Sequence, residues 1–386
     1  MTYCRILLGL PALIMLSMLS LLWGCDEGRN GGKTLPNASG REYELVVVTD
    51  SALLQNDTLK PSLRGVFGRP FPGIPQMESW FRLNFLQADN LNSYLKRHRN
   101  ILLVDTGGVP GEIAGLMEQV FGKEKMQAAR ADTNLFFKTV QDVWARPQQV
   151  AFLFAPNKQT LIRKLRESDS TIIHNFHHNE LEYLQRVIYK TKEQKGIQRQ
   201  VQDVLGYSIR VPINYKMAKS LRPETAKGKE ADKLRALGLD GFVWLRSETK
   251  ETSNHILMYS QPYQSRAQLE EDSVIGLRSS VGKAFIPGPA EGSYMWTETE
   301  DYAPSSRAIN FRERYALQTR GLWEVENDFM GGPFLHYTIL DKAQDRVIHL
   351  DGFVFAAGTN KKPFMVRMEA ILNTLRMASP STAGIP

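Results

Sequence analysis

The run Ile101-Leu102-Leu103-Val104-Asp105-Thr106-Gly107 ends an apolar stretch on an aspartate and a tight turn. Hydrolysis by aspartates needs two carboxyls that share a proton, because adjacent carboxylates do not both ionise. Asp50-Ser51-Ala52 lacks the glycine and lies too near in sequence to supply the second lobe of such an enzyme. The residues after Gly107 also read as helix, so a strand ending in an Asp-Thr helix entry explains them as well. His174, His177 and His178, with Glu180 beside them, form the histidine cluster of the chain. Imidazoles four residues apart on a helix can share a metal. The zinc-protease pattern places a glutamate directly after the first histidine, where this chain has Asn175, and solvated histidines at a helix start are the competing reading. Ser280 and Lys283 have the spacing of a serine acylase, but no further element of that set follows in order. The glycines of Met330-Gly331-Gly332-Pro333-Phe334 suit either a close ligand approach or a turn with positive φ. Trp80, Trp144, Trp244, Trp296 and Trp323 read as core fillers. No catalytic residue, metal site or cofactor is assigned from these patterns.

The remaining reactive side chain is Cys25. Arg5, the apolar run Ile6–Trp23 and the sequence Leu22-Trp23-Gly24-Cys25 have the order of an export signal ending in a small residue and a cysteine. This order resembles a bacterial lipoprotein signal, in which the cysteine thiol is diacylated and becomes the new N-terminus. Residues 1–24 are then the signal peptide, and membrane attachment is through a diacylglyceryl group on Cys25. The competing reading is an uncleaved anchor, for which about 20 apolar residues are needed; Pro11 interrupts the run. Two acyl chains hold a protein to a membrane where one does so only marginally. The second cysteine, Cys4, leaves with the signal, so thiol nucleophiles, thiolate metal sites and disulfides are excluded from the mature chain.

The positioning elements follow from punctuation and periodicity. Of 386 residues, 42% are hydrophobic and 23% charged, which is ordinary for a globular protein of two or three domains. The net charge of +7 is spread along the chain, and an envelope location argues against nucleic acid as a partner. Residues 25–40 are rich in Gly, Asn and charge, the composition of a flexible tether. The expected fold class is α+β: two related units at 41–195 and 200–377, each an antiparallel sheet with helices packed on it, and a disordered tail at 378–386. The runs Glu42–Asp50 and Arg99–Asp105 read as buried strands. Leu59, Leu63, Val66 and Phe67 mark a short helix, Gly111–Ala129 a longer one, and Phe71, Ile74, Trp80 and Phe81 anchor a Pro-rich loop. A hairpin is expected over Val140–Ala145 and Gln149–Ala155, and a terminal helix over Lys361–Met377. Phe152-Leu153-Phe154-Ala155 and Phe353-Val354-Phe355-Ala356 each precede an Asn-Lys pair and a helix; distant duplication and coincidence both explain this echo.

ELVVVTD, RPFPGIPQMES, HRNILLVD, VWARPQQV, MGGPF and GFVFAAGTNKK, behind a lipobox, together resemble the bacteroidete lipoproteins grouped as domain of unknown function 4837. The resemblance spans Arg41 to Met377. It implies a lipid-anchored envelope protein of the outer membrane, with the membrane face open, and carries over no catalytic residue. The strand order of the second half, closing with a helix, is also similar to a PsbP-type α/β/α sandwich. The leading expectation is a non-catalytic module that binds an envelope protein or supports an assembly. The alternatives are an envelope hydrolase using Asp105 or the His174/His177/His178 cluster, and a carrier of a small hydrophobic ligand held between the two units.

Overall fold

The computed structural model describes residues 34–55, 58–107, 111–131 and 137–377. The signal peptide, Cys25, most of the tether and the tail lie outside the described residues. The first unit runs β1 (Glu44–Thr49), α1 (Ser51–Leu54), α2 (Leu59–Phe67), β2 (Arg82–Gln87), β3 (Asn100–Thr106), α3 (Glu112–Phe121), α4 (Lys123–Ala131), β4 (Phe137–Gln141), β5 (Gln149–Ala155), α5 (Lys158–Glu167) and α6 (Asp169–Ile188). Its sheet has the order β2-β1-β3-β5-β4. Four strands run parallel, and β4 alone is antiparallel to its neighbour β5.

The chain is α+β, but the antiparallel sheet expected for this unit is therefore corrected to a largely parallel one. The physical reason lies in the strands. β1 is buried at every position after Glu44, β3 at every position before Thr106, and β5 throughout. Uninterrupted apolar runs belong to strands covered on both faces, which parallel sheets with crossover helices provide. Leu45, Val47, Leu102, Val104, Ala151 and Leu153 face one core, and Val46, Val48, Ile101, Leu103, Val150 and Phe152 face another. The expected single helix after Gly111 is two, α3 and α4, broken at Gly122, whose φ of 91° no helix tolerates.

The second unit runs α7 (Lys195–Leu205), β6 (Tyr207–Ser208), β7 (Lys216–Leu221), α8 (Lys229–Ala236), β8 (Gly241–Glu248), β9 (Thr252–Pro262), α9 (Glu271–Phe285), β10 (Met295–Thr297), β11 (Ser305–Phe311), β12 (Arg314–Val325), β13 (Gly331–Asp341), β14 (Arg346–Ala356), α10 (Lys362–Leu372) and β15 (Arg376–Met377). Eight strands form an antiparallel sheet, β10-β12-β13-β14-β9-β8-β7, with β11 also paired to β12. A two-residue turn with positive φ at Arg312 and Glu313 joins β11 to β12, the geometry that matches strand twist. Gly331 and Gly332 are strand residues in β13, not a positive-φ turn; a Cβ on Gly332 would lie 2.1 Å from the Val354 carbonyl oxygen. The terminal helix is shorter than expected and ends at Leu372.

Five layers result. α3 and α4 cover the outer face of the first sheet, and α8 and α9 cover the outer face of the second. Between the sheets, α2, α5, α6, α7 and α10 share one continuous apolar core with the inner faces of both. Phe71, Ile74, Trp80 and Phe81 of the Pro-rich loop are buried in that core, as expected. The hairpin–helix endings β4–β5–α5 and β13–β14–α10 are alike locally, while the sheets around them differ in strand direction.

Candidate functional site

The middle layer brings charged groups from both units to the seam between them. Tyr43 precedes β1 with a φ of 55°, a conformation that costs a bulky residue energy and persists when its surroundings hold it. Its backbone N–H donates to Glu180 Oε2 at 3.0 Å, and its hydroxyl lies 2.7 Å from His177 Nδ1. Glu180 also accepts from Arg99 Nε at 2.8 Å and from the Asn100 side chain, so this wholly buried carboxylate is neutralised and saturated with donors. His177 and Glu180 fall on the apolar stripe of α6, with Ile173, Phe176 and Leu184.

Glu369 arrives from α10 in the other unit. His177 Nε2 lies 3.1 Å from Glu369 Oε1, a close contact without hydrogen-bond alignment. Arg320 Nη2 on β12 donates to Glu369 Oε2 at 2.7 Å, and the Tyr337 hydroxyl donates to Oε1 at 3.3 Å. Burial pushes the Glu369 carboxyl up, and Arg320 and His177 more than reverse this, leaving it well below the usual carboxylate range. Tyr43 is the opposite case: burial first, then Glu369 and Glu180, raise its phenol far above normal. Tyr43, His177 and Glu369 thus stand in the order of a nucleophile, a base and an orienting acid. The nucleophile position is held by a buried phenol kept protonated, which makes this a poor catalytic set and a good clasp.

A second strap crosses nearby. The Glu78 carboxylate accepts from the backbone N–H of Lys361 at 2.6 Å and so caps α10 from the first unit. Lys362 donates to the carbonyls of Ser79 and Trp80 and lies over the Tyr43 ring, 4.4 Å from its centroid. Burial pushes the Lys362 ammonium down to about 8, although Glu78 and Glu180 oppose it.

Beside the clasp is a cavity of about 240 Å³. The Pro-rich loop contributes Arg69 and Trp80, the start of α6 contributes Ser170 and His174, and the β11–β12 hairpin contributes Ser305, Arg307 and Arg320.

The histidines expected as a possible metal set are separated. His174 Nδ1 donates to the Ser170 carbonyl and its Nε2 meets Arg307. His177 is buried in the clasp, and His178 is exposed beside Glu182 at 3.3 Å. Among the described residues no three histidine, cysteine or acidic side chains are placed to hold a metal ion. The consecutive residues His177 and His178 are about 100° apart around α6, so one turns into the core and the other to solvent, while His174, at an angle between them, meets Arg307. Asp105 is the penultimate residue of β3, buried, and lies opposite Phe154 of β5 in register. β1 and β3 are in register at Val48 and Leu103, so Asp50 and Asp105 stand at the ends of neighbouring strands. Asp50 accepts from the Ile113 N–H at 3.1 Å and so caps α3. Ser280 bonds to the Gly276 carbonyl of its own helix.

The sequence reading missed Tyr43, Arg99, Arg307, Arg320 and Glu369. A signal existed for one of them: Glu369 is four residues after Met365 and three before Leu372, inside the buried stripe of α10.

Comparison with known families divides the chain at the same seam. Residues 194–374 match the model described as domain of unknown function DUF4837, and residues 38–189 match a second, domain of unknown function DUF8532. The resemblance to the first family is thus found, over the C-terminal unit rather than the span from Arg41 to Met377. Of the motifs that carried it, MGGPF and GFVFAAGTNKK lie in that match, and ELVVVTD, RPFPGIPQMES, HRNILLVD and VWARPQQV lie in the second. No curated protein matches the chain.

Proposed function

We propose that the protein is a lipid-anchored component of the cell envelope, in the outer membrane, acting as a non-catalytic module that binds an envelope protein or supports an assembly. The observation that carries this reading is the clasp: the contact of His177 with Glu369 joins the two units, and Tyr43 and Arg320 hold its two ends in place. The cysteine after Gly24 supports the anchor, and both family matches are to domains without an assigned activity. Among the described residues no helix is long and apolar enough to cross a membrane, so attachment rests on the segment that contains Cys25.

Capture of the full chain from its own membrane, with mass spectrometry of the N-terminal peptide, tests anchor and partner together. A diacylated Cys25 and a recurrent envelope partner are expected, and Cys25→Ser is expected to release the protein from the membrane. An unprocessed N-terminus sinks the anchor. Hydrolysis of peptides or glycans that disappears in a folded Asp105→Ala protein replaces the binding reading with the hydrolytic one.

A further inference from the structure

The cavity beside the clasp has a surplus of cationic donors that the clasp does not explain. Arg320 is 4% exposed, and its Nη2 is committed to Glu369, while its Nε and Nη1 are buried without a hydrogen-bond partner. A buried guanidinium with two unused donors carries an energetic penalty unless something accepts from it. On β11, Ser305 is directly opposite Arg320, and Arg307 is opposite Gln318. The hydrogen bonds of Arg307 go to neutral groups, Gln318 Oε1 at 2.8 Å and His174 Nε2. His174 donates through Nδ1 to the Ser170 carbonyl at 2.6 Å, so Nε2 accepts and the ring is neutral. Arg69 is the third guanidinium at this cavity and is paired with Asp169 at 2.6 Å. Three arginines thus meet two carboxylates, Asp169 and Glu369. The crowding is felt: burial first, then Arg320, lowers the pKa of Arg307.

We infer that this seam cavity is a binding site for a phosphate-class oxyanion, free or carried as a phosphoester head group, received by Arg320, Arg307 and Ser305. A tetrahedral oxyanion offers acceptors in several directions, which suits donors converging from two strands better than a planar carboxylate does. Trp80 and the ring of Phe71, 5.2 Å from the Arg320 guanidinium, give the site a low-dielectric wall that strengthens the attraction. The donors come from the β11–β12 hairpin of the second unit, while Trp80 of the Pro-rich loop and Ser170 of α6 in the first unit line the same cavity, so occupancy would tie the two units more tightly. The inference does not depend on the membrane anchor.

The test is titration of the full chain in detergent with inorganic phosphate, read by calorimetry and by the thermal midpoint. Saturable binding that raises the midpoint is expected, weakened at least tenfold in Arg307→Gln and less in Ser305→Ala. Arg314→Gln, at the tip of the same hairpin and outside the cavity, serves as the control and is expected to bind as the parent does. Arg307 is at the cavity mouth rather than in the clasp, so its variant is expected to keep the parental melting curve without phosphate. Vesicles containing phosphatidic acid, against phosphatidylcholine alone, identify the source: competition with phosphate assigns a lipid head group, and phosphate binding without competition assigns a soluble one. Absence of phosphate binding, or equal affinity in Arg307→Gln, overturns the site.

Discussion

At the scale of single residues, burial decides which titratable groups do work. His177 is wedged between the Tyr43 hydroxyl and Glu369, so His177→Ala leaves a buried phenol and weakens the pairing of a buried carboxylate. The expected loss is about 2–4 kcal/mol of unfolding free energy, measured by urea denaturation. His255 supplies a pH test. Trp244 donates to its Nδ1 at 3.1 Å, so the proton sits on Nε2 and the ring is neutral. Burial first, then Arg246, pushes its pKa down to about 4 from 6.5. The sign follows: the unfolded chain binds the proton first, so stability is full above pH 6.5 and is lost as pH falls from there toward 4. By pH 5 the loss from this group is about 2 kcal/mol. Urea midpoints measured between pH 7 and pH 5 should fall for the parent and fall less steeply in His255→Gln. His349, lowered by burial and then by His336, adds to the same slope.

At the scale of elements, helix α10 shows how closely the middle layer is packed. It lies against β14 at Gly352, where a Cβ would sit 2.2 Å from Met368 Cγ. Gly352→Ala is therefore expected to cost about 1–3 kcal/mol through overpacking, seen as a lower thermal midpoint with the same secondary structure by circular dichroism. Among the strands, the apolar runs of β1, β3 and β5 were legible as buried, and their lengths were close. Their parallel direction was also written in the missing alternation, since a strand with one wet face alternates and these do not. β11 went unread because its burial alternates weakly and its turn uses Arg312 and Glu313 rather than glycine. Residues with side chains rarely take positive φ, so such a turn carries little local signal.

At the scale of the molecule, the two family matches meet between residues 189 and 194, yet the core does not divide there. α10 packs on α6, and Gln185 of α6 donates to the Ala370 carbonyl of α10 at 2.9 Å. A single cooperative unfolding transition is expected for the whole chain, with fluorescence and circular dichroism coincident. Residues 38–189 made alone would expose the helix faces that α10 and the second sheet now cover. That fragment is expected to bind a hydrophobic dye strongly, and two separate transitions in the full chain would refute the shared core.

The sequence by itself determined the α+β composition, the buried strands, the Pro-rich anchors and the expectation of an acylated Cys25, because each rests on neighbours within a few residues. It also held the DUF4837 resemblance. The separation of His174, His177 and His178 onto different neighbours, and the meeting of His177 with Glu369, were decided by tertiary structure. The reason is distance along the chain: Tyr43 takes Glu180 from 137 positions away and Arg320 takes Glu369 from 49 away, and no local period records which face of one unit will meet the other.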